Sequence, residues 1–284
     1  MKNNKSDKKK IAFYIGSLGK GGAERVIRNL AQYFKSEGYD VYMVTKLKEK
    51  DEYDLDPSIQ RIIADITPET GRRIGNLSAR IKKLRRIWSD IKPDIIVSFI
   101  RKNNLMAIAS ATPLHIPVVV SVRSAPAREL AGKGVKQLTF YMFRKAAGVV
   151  LQTTQARDFF PKYIQKKSVI LPNSINSEFI EYIDNNVSKT VDKMGKRIIT
   201  VGRIDDNKNQ KMLVEAFIEI ADAHPDWELH LYGDGESREK IEKIAKDSKA
   251  LDRIVFHGVV NNVPEVMGEA DIFVLPSKVE GMPN

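Results

Sequence analysis

The sequence predicts an α/β protein of two domains, each with a parallel β-sheet covered by helices. Short apolar runs alternate with helix-spaced segments along the chain, which is the pattern of strands joined by crossover helices. The pattern pauses at a polar, apolar-poor stretch over residues 184–195 and then restarts. The length of 284 residues is enough for about two domains of ordinary size.

The first predicted domain covers residues 10–183 and follows a basic, flexible lead-in at residues 1–9. Apolar, β-branched runs predict strands at Ile11–Ile15, Val41–Thr45, Ile59–Ile66, Ile95–Phe99, Val118–Val122, Gly148–Gln152 and Ser168–Leu171. Helical spacing of apolar residues predicts helices at Ala23–Phe34, Ile74–Ile91 and Lys136–Lys145.

Residues 184–195 have the composition of a linker, and the second predicted domain covers residues 196–284. Its predicted strands are Arg197–Val201, Glu228–Tyr232, Ile254–His257 and Ile272–Leu275. Its predicted helices are Gln210–Asp222, Arg238–Lys249 and Val263–Ala270. We expect a ligand cleft between the carboxyl edges of the two sheets, where open α/β sheets bind ligands.

The composition limits the chemistry of the chain. The sequence has no cysteine, which excludes a disulfide framework, a thiolate metal site and a cysteine nucleophile. No apolar run approaches the roughly 20 residues of a membrane span, and the basic N-terminus leads into only a short apolar strand, unlike a secretion signal. We therefore expect a cytoplasmic protein.

The net charge of +11 is unevenly distributed. Residues 1–150 hold 29 Lys and Arg against 14 Asp and Glu, whereas residues 151–284 hold 18 against 22. The basic first half suggests an anionic partner, which could be a membrane surface, a phosphorylated acceptor or nucleic acid. Nucleic acid is disfavoured because no recognised nucleic-acid module is present and aromatic residues are not interleaved with the basic ones.

A glycine-rich run, Gly16–Gly22, follows the first predicted strand and opens the first long helix. Glycines let the backbone approach a ligand closely, and the N-terminus of a helix favours an anion. The run is neither a dinucleotide-binding Gly-x-Gly-x-x-Gly nor a P-loop. A tight turn without a ligand is therefore the alternative.

A second loop, residues 202–209, carries Arg203 and Lys208 after the first strand of the second domain. Arginine can fork onto phosphate oxygens, and lysine can place a point charge beside them. The alternative is a solvated loop in which Asn207 or Asn209 caps the following helix.

Three further strand ends carry suggestive residues. Tyr232–Glu236 predicts a tight turn at Gly233, with turn chemistry alone as the alternative. Phe256–Val259 ends a strand whose main-chain groups could hydrogen-bond a flat base, and His257 within it is interpreted as structural rather than as an acid or base. The last predicted strand leads towards Glu280 and reads as a strand feeding an active-site loop.

In this order, the motifs resemble the retaining, nucleotide-sugar-dependent glycosyltransferases of the group 1 or family 4 type, which have the GT-B fold. The motifs are Gly-Gly-Ala-Glu-Arg, Val-Gly-Arg-(x)4-Lys, Tyr-Gly-Asp-Gly, Phe-x-Gly-x-Val and Ser-x-x-Glu-Gly-x-Pro. Each is weak alone, but the combination is specific and covers residues 10–284. Residues 203–209 most resemble members that extend bacterial lipid-linked or surface-polysaccharide glycans, including N-acetylgalactosamine transferases. The resemblance implies two Rossmann-like domains facing across a cleft.

The resemblance also implies roles by position. Arg203 and Lys208 match the pair that holds the donor diphosphate and stabilises the departing nucleotide, so neither a metal nor another cofactor is expected. Glu280 matches the first glutamate of a Glu-(x)7-Glu motif beside the donor sugar, and these three residues are the expected catalytic ones. The remaining expected donor-binding residues are Gly21, Gly22, Gly233, Val259, Gly281 and Met282.

Two features depart from the family pattern. The second glutamate of the motif, which would bind the donor ribose, would fall four residues after Asn284, so we expect a truncated second domain. Many relatives carry a histidine after a first-domain strand, where this chain has Arg123. This arginine could bind a phosphate of the acceptor or donor but cannot act as a general base. A surface arginine without such a role is the alternative.

The segment of residues 72–92 combines an apolar stripe with a basic excess. The stripe consists of Ile74, Leu77, Ile81, Leu84, Trp88 and Ile91. So regular a stripe is typical of a helix packed on a sheet, and the surrounding basic residues would suit an anionic bilayer. We hypothesise peripheral contact with the inner face of the cell membrane, where a lipid-linked acceptor would be presented.

These features predict a glycosyltransferase that uses a nucleotide diphosphate sugar, with UDP as the expected nucleotide. It would transfer a hexose or N-acetylhexosamine, with retention, to a polyprenyl-diphosphate-linked or polysaccharide acceptor, as in lipopolysaccharide biosynthesis. The alternative is a chain without catalysis, either an inactive truncated remnant or a partner subunit that binds nucleotide sugar.

Overall fold

The computed structural model is an α/β protein with two parallel sheets, which confirms the predicted fold class. The structure describes residues 8–19, 21–65, 73–175, 177–186 and 196–280. These residues form two compact units that divide between Asn173 and Ser174.

Unit 1 is built on a parallel sheet of seven strands. The strands are β1 (Lys10–Ile15), β2 (Asp40–Thr45), β3 (Gln60–Ile63), β4 (Ile95–Phe99), β5 (Val118–Ser121), β6 (Gly148–Leu151) and β7 (Ser168–Ile170). They lie in the order β3-β2-β1-β4-β5-β6-β7. The strand order therefore reverses between β1 and β4, and such a switch point is where open α/β sheets bind ligands.

Helices cover this sheet, and two apolar cores form. The helices are α1 (Gly22–Ser36), α2 (Arg73–Ile91), α3 (Arg101–Ala111), α4 (Pro126–Glu129), α5 (Val135–Phe143), α6 (Thr154–Asp158) and α7 (Lys162–Gln165). Phe13 of β1 packs in one core with Ile27 of α1. Its neighbour Tyr14 packs in the other core with Trp88 of α2 and Phe143 of α5. Because successive strand residues point to opposite faces, both faces of β1 are buried.

The predicted apolar stripe of α2 is buried in the second half of the helix. Leu84, Trp88 and Ile91 are buried, and Trp88 Nε1 donates a hydrogen bond to Ser110 Oγ of α3 at 2.8 Å. Leu77 is 48% exposed, so the buried face does not extend to it. Within the described residues, neither α2 nor any other helix has the length and apolar character needed to cross a bilayer.

Unit 2 is built on a parallel sheet of four strands. The strands are β8 (Lys196–Val201), β9 (Trp227–Tyr232), β10 (Ile254–Gly258) and β11 (Ile272–Phe273), in the order β10-β9-β8-β11. The helices are α8 (Ser177–Asn186), α9 (Gln210–Ile220), α10 (Arg238–Lys246) and α11 (Val263–Gly268). Leu231 of β9 packs with Phe217 of α9, whereas the adjacent Tyr232 packs with Val266 of α11, so this sheet too is covered on both faces.

The division between the units differs from the predicted linker at residues 184–195. Helix α8 belongs to unit 2, because it packs on α11 with the Tyr182 hydroxyl lying against Gly268. The division therefore falls after Asn173, before this helix. Residues 187–195 of the predicted linker lie outside the described residues.

Candidate active site

The carboxyl ends of β8, β9 and β10 meet at one edge of unit 2. Gly202 N donates to Tyr232 O at 2.9 Å, and Gly233 N donates to Gly258 O at 2.6 Å. These bonds join the loop of residues 202–209, the turn after β9 and the end of β10. Three of the motifs found in the sequence are therefore adjacent, as expected at the carboxyl edge of a parallel sheet.

Gly233 permits the close approach of two of these loops. Its φ of 137° is a conformation that side chains rarely adopt, and a Cβ atom there would overlap the Gly202 carbonyl group. A Cβ atom at Gly235 would likewise overlap the Ile204 carbonyl group. The turn after β9 thus depends on glycine because it lies against the backbone that carries Arg203.

Asp205, which the sequence analysis did not single out, organises the loop of residues 202–209. Its Oδ1 accepts from Asn207 N at 3.0 Å and from Lys208 N at 2.8 Å, and its Oδ2 accepts from Arg203 Nε at 2.6 Å. Burial would raise the pKa of Asp205, but these hydrogen bonds outweigh it and hold the pKa below its ordinary value. The sequence signal that could have revealed this role is an Asp followed, two and three residues later, by the N–H groups that its side chain binds. This is the spacing of an Asx turn.

Asn207 and Asn209 attach the C-terminal segment rather than cap α9. Asn209 occupies the N-cap position without a side-chain cap bond, and its Nδ2 donates to Pro276 O at 3.3 Å. Asn207 Nδ2 donates to Val279 O at 3.0 Å, and Asn207 O accepts from Lys278 N at 2.8 Å. Asn209 therefore holds the predicted N-cap position, but its side chain makes no cap bond, because both side-chain amides bind carbonyl groups of residues 276–279.

This attachment brings Glu280 to Lys208. Glu280 Oε1 lies 2.6 Å from Lys208 Nζ, and each side chain is 26% exposed. Two predicted catalytic residues therefore form an ion pair that a ligand can reach. The other two predicted residues of this segment, Gly281 and Met282, lie outside the described residues.

Arg203 completes the charged group at this edge. Its Nε contacts Asp205, which orients the guanidinium, yet 75% of the side chain is exposed, so a ligand can reach it. Each of the two cations, Arg203 and Lys208, is paired with one carboxylate, and together with the backbone loops they can bind phosphate oxygens and a sugar hydroxyl. Over the described ranges, no three His, Asp or Glu side chains are arranged to hold a metal ion.

The end of β10 carries an exposed residue and a histidine chain. Val259 is 73% exposed and accessible to a ligand. His257 hydrogen-bonds through Nε2 to His230 Nδ1 at 2.8 Å, and its ring is stacked on Tyr232 with centroids 4.2 Å apart. His230 Nε2 in turn lies 2.8 Å from Glu228 Oε2. This arrangement is consistent with a structural interpretation of His257.

The histidine chain predicts that stability falls in mild acid. Burial lowers the pKa of His257, and the neighbouring His230 and Arg197 lower it further. The unfolded chain therefore binds more protons between this lowered pKa and the ordinary value of about 6.5. Stability should be full above about pH 6.5 and fall as the pH drops through the lowered pKa. Urea unfolding at a series of pH values should show this fall, and His257→Gln should flatten it.

The matched control is His224→Gln, which changes an exposed histidine of the same unit. This variant should retain the pH dependence of the parent. An equal slope in the His257→Gln and parent proteins would contradict the assignment to His257.

In unit 1, Gly21 and Gly22 lie at the N-terminus of α1, directly beyond the carboxyl end of β1. Gly21 is the N-cap residue, its N–H donates to Gly19 O at 2.6 Å, and its carbonyl accepts from Arg25 N at 3.0 Å. A helix N-terminus at the switch point of a parallel sheet favours negative charge, and the Glu24 carboxylate of the first helical turn lies against Gly21 there.

Arg123 of unit 1 is not a surface arginine. Its Nη2 donates to Asn173 Oδ1 at 2.6 Å, and its guanidinium lies 5.0 Å from the centre of the Phe99 ring. Burial lowers the pKa of Arg123 to about 10, which leaves it protonated at neutral pH. The carboxyl edge of this sheet therefore carries a partly buried, oriented cation.

The chain resembles proteins of known activity over nearly its whole length. The Campylobacter jejuni GalNAc-alpha-(1->4)-GalNAc-alpha-(1->3)-diNAcBac-PP-undecaprenol alpha-1,4-N-acetyl-D-galactosaminyltransferase is 25% identical over 96% of this chain and 74% of its own. Sucrose-phosphate synthase from Thermosynechococcus elongatus superposes with a TM-score of 0.74 at 16% identity, covering 97% of this chain and 77% of that protein. HepE of Anabaena, solved with UDP-glucose, superposes with a TM-score of 0.67 at 14% identity, covering 93% and 72%.

Two family models match the two halves of the chain. Residues 183–284 match the model described as Glycosyl transferases group 1. Residues 20–179, more than half of the chain, match the model described as Glycosyltransferase Family 4. With two parallel-sheet units and GT-B glycosyltransferases as its structural neighbours, this chain belongs to glycosyltransferase family 4.

Proposed function

We propose that this chain transfers a hexose or N-acetylhexosamine from a UDP-sugar to a lipid-linked or polysaccharide acceptor, with retention of the anomeric configuration. The observation that carries the proposal is the ion pair between Lys208 Nζ and Glu280 Oε1, 2.6 Å apart. Lys208 lies on the loop that Asp205 organises, which also carries the exposed Arg203.

The donor diphosphate would bind Arg203 and Lys208. Negative charge develops on the departing UDP as the bond to the sugar breaks, and oriented cations stabilise that charge. Lys208 would then contact both the phosphates and Glu280, which would face the sugar. The UDP-glucose in the structure of HepE supports UDP as the nucleotide.

The chemistry of transfer follows from this placement. The bond between the anomeric carbon and the diphosphate oxygen breaks, and UDP departs with the electron pair. The acceptor hydroxyl oxygen forms the new bond on the same face of the sugar, and its proton passes to the departing phosphate. We expect no metal in this step, because the two basic side chains neutralise the leaving group.

The acceptor class rests on a relative and on charge. The Campylobacter relative is named for an acceptor linked to undecaprenol through a diphosphate. Arg123, a partly buried cation at the sheet edge of unit 1, would suit a phosphate of such an acceptor.

We further propose that unit 1 contacts an anionic membrane on the cytoplasmic side, where such an acceptor is presented. The outer face of α2 carries Lys82, Lys83 and Arg86, which are exposed. Such residues would bind anionic lipid through charge, with a strong dependence on salt. Sedimentation with vesicles of phosphatidylglycerol, but not with neutral phosphatidylcholine vesicles, would support this contact. Equal sedimentation with both would remove it.

Calorimetric titration with UDP, UDP-N-acetylhexosamines and GDP-sugars tests the donor site. Micromolar binding of UDP compounds that is lost in Arg203→Ala would support the proposal, and GDP-sugar binding alone would reassign the nucleotide. A folded protein that binds none of them would overturn it. Binding without sugar transfer to a polyprenyl-diphosphate glycan would favour the alternative of a nucleotide-sugar-binding chain without catalysis.

A further inference from the structure

A buried carboxylate in unit 1, Glu52, lies outside every motif considered so far. It follows β2, and its side chain is only 8% exposed. Burial would raise the pKa of Glu52, but hydrogen bonds, first among them those from Arg61, lower it to about 2. Glu52 is therefore ionised throughout the physiological pH range. A charge that is so little exposed is costly unless it is paired and hydrogen-bonded, so its partners define what it holds in place.

Glu52 holds the glycine-rich loop after β1. Its Oε1 accepts from Leu18 N at 3.2 Å, and Tyr53 N donates to Leu18 O at 2.8 Å. Gly19 and Glu52 also form an isolated antiparallel bridge. Both the N–H and the carbonyl group of Leu18 are thus bound, three residues before Gly21, the N-cap residue of α1.

Arg61 of β3 holds Glu52 in turn. Its Nη1 and Nη2 lie 2.6 Å and 3.0 Å from the two carboxylate oxygens of Glu52, which is a bidentate pair. Arg61 Nε and Nη2 also donate to Thr45 Oγ1 at 3.3 Å and 3.2 Å. The carboxylate is therefore held by Arg61 of β3, which is itself bound to Thr45, the last residue of β2.

We propose that Glu52, oriented by Arg61, is a positioning residue that fixes the backbone of Leu18 and Gly19 and thereby supports the donor binding that the family resemblance implies for Gly21 and Gly22. This inference rests on the proposed function. A loop that is already ordered loses less conformational freedom when a ligand binds, so its pre-organisation contributes to affinity. Without Glu52, the N–H group of Leu18 loses its acceptor, and the loop before α1 can adopt other conformations.

The test combines amide hydrogen exchange with calorimetry of UDP-N-acetylglucosamine on the full chain. Glu52→Ala should raise the exchange rate of the Leu18 amide at least about 10-fold and weaken the ligand about 10-fold, with no comparable change in exchange within β4 and β5. Arg61→Met, which leaves the carboxylate but removes its support, should act in the same direction. Asp158→Asn is the matched control, because it neutralises an exposed carboxylate of unit 1 that also pairs with arginine.

The outcomes separate the two proposals. Wild-type protein that fails to bind the ligand overturns the donor site and the ligand half of this inference together. Wild-type protein that binds, with equal affinity in Glu52→Ala and Arg61→Met, overturns this inference alone. A lower melting temperature with unchanged affinity would likewise assign Glu52 a merely structural role and overturn it. If Glu52→Ala does not fold, Arg61→Met decides by the same two readouts.

Discussion

Replacing Lys208 by methionine is expected to weaken UDP-sugar binding about 100-fold, or about 2.8 kcal/mol. Methionine keeps the unbranched apolar stem of the side chain but removes the charge that would contact the diphosphate, and each charge-assisted hydrogen bond contributes about 1.5–3 kcal/mol. It also leaves the Glu280 carboxylate, now 2.6 Å from Lys208 Nζ, without its partner and facing an anionic ligand. Calorimetric titration with UDP and a UDP-sugar measures the loss.

The control for this prediction is Lys211→Met, at the second residue of α9. Lys211 forms an exposed pair with Glu215 at 3.3 Å, and such pairs contribute little to stability. This variant makes the same chemical change three residues away and should bind UDP as the parent does. Equal losses in the two variants would show that charge near the site acts only at long range.

Much of the fold could be predicted because most of its strands are short runs of mainly apolar, β-branched residues. Strand β4 was predicted with the bounds that it has, Ile95–Phe99, and it contributes Ile96 to one core and Phe99 to the other. Helix α3 could not be predicted in the same way. Its buried residues include Asn104, Ala107 and Ser110, which form no apolar stripe, because small side chains let the helix lie close between the sheet and its neighbours α2 and α5.

In the candidate site too, some residues could be identified from the sequence and others could not. The residue types and their spacing indicated Arg203 and Lys208, the family resemblance added Glu280, and Lys208 and Glu280 meet in the structure. The residues that hold them were not identified as such, because their partners are distant in sequence. Asn207 binds Val279, 72 positions away, and no local pattern reports that contact. The charged residues of the site were therefore easier to identify from the sequence than the residues that hold them in place.

The largest loss of stability should come from Gly233→Ala, which we expect to cost about 3–5 kcal/mol. An alanine there must adopt a φ near 137° and would place its Cβ 2.8 Å from the carbonyl carbon of Gly202, with the oxygen closer still. Both obstacles are backbone, so no side-chain rotation relieves them. Relief requires separating the loops after β8 and β9, which breaks the bonds that Gly202 and Gly233 make to their neighbours. Urea unfolding measures the cost, and nucleotide titration should show the donor site lost with it.

Gly38→Ala separates backbone strain from this collision. Gly38 also has a positive φ, 89°, but a Cβ atom added there has no neighbour within 4 Å. Alanine at position 38 should therefore cost only the strain of the left-handed region, about 1–2 kcal/mol, and leave nucleotide binding unchanged. If the two variants were equally destabilised, the contact between the two loops would contribute nothing beyond the φ angle. A larger loss of stability at Gly233, together with lost nucleotide binding, would mean that the loop carrying Arg203 keeps its conformation only when the backbones of Gly202 and Gly233 are in contact. Only glycine at position 233 allows that contact.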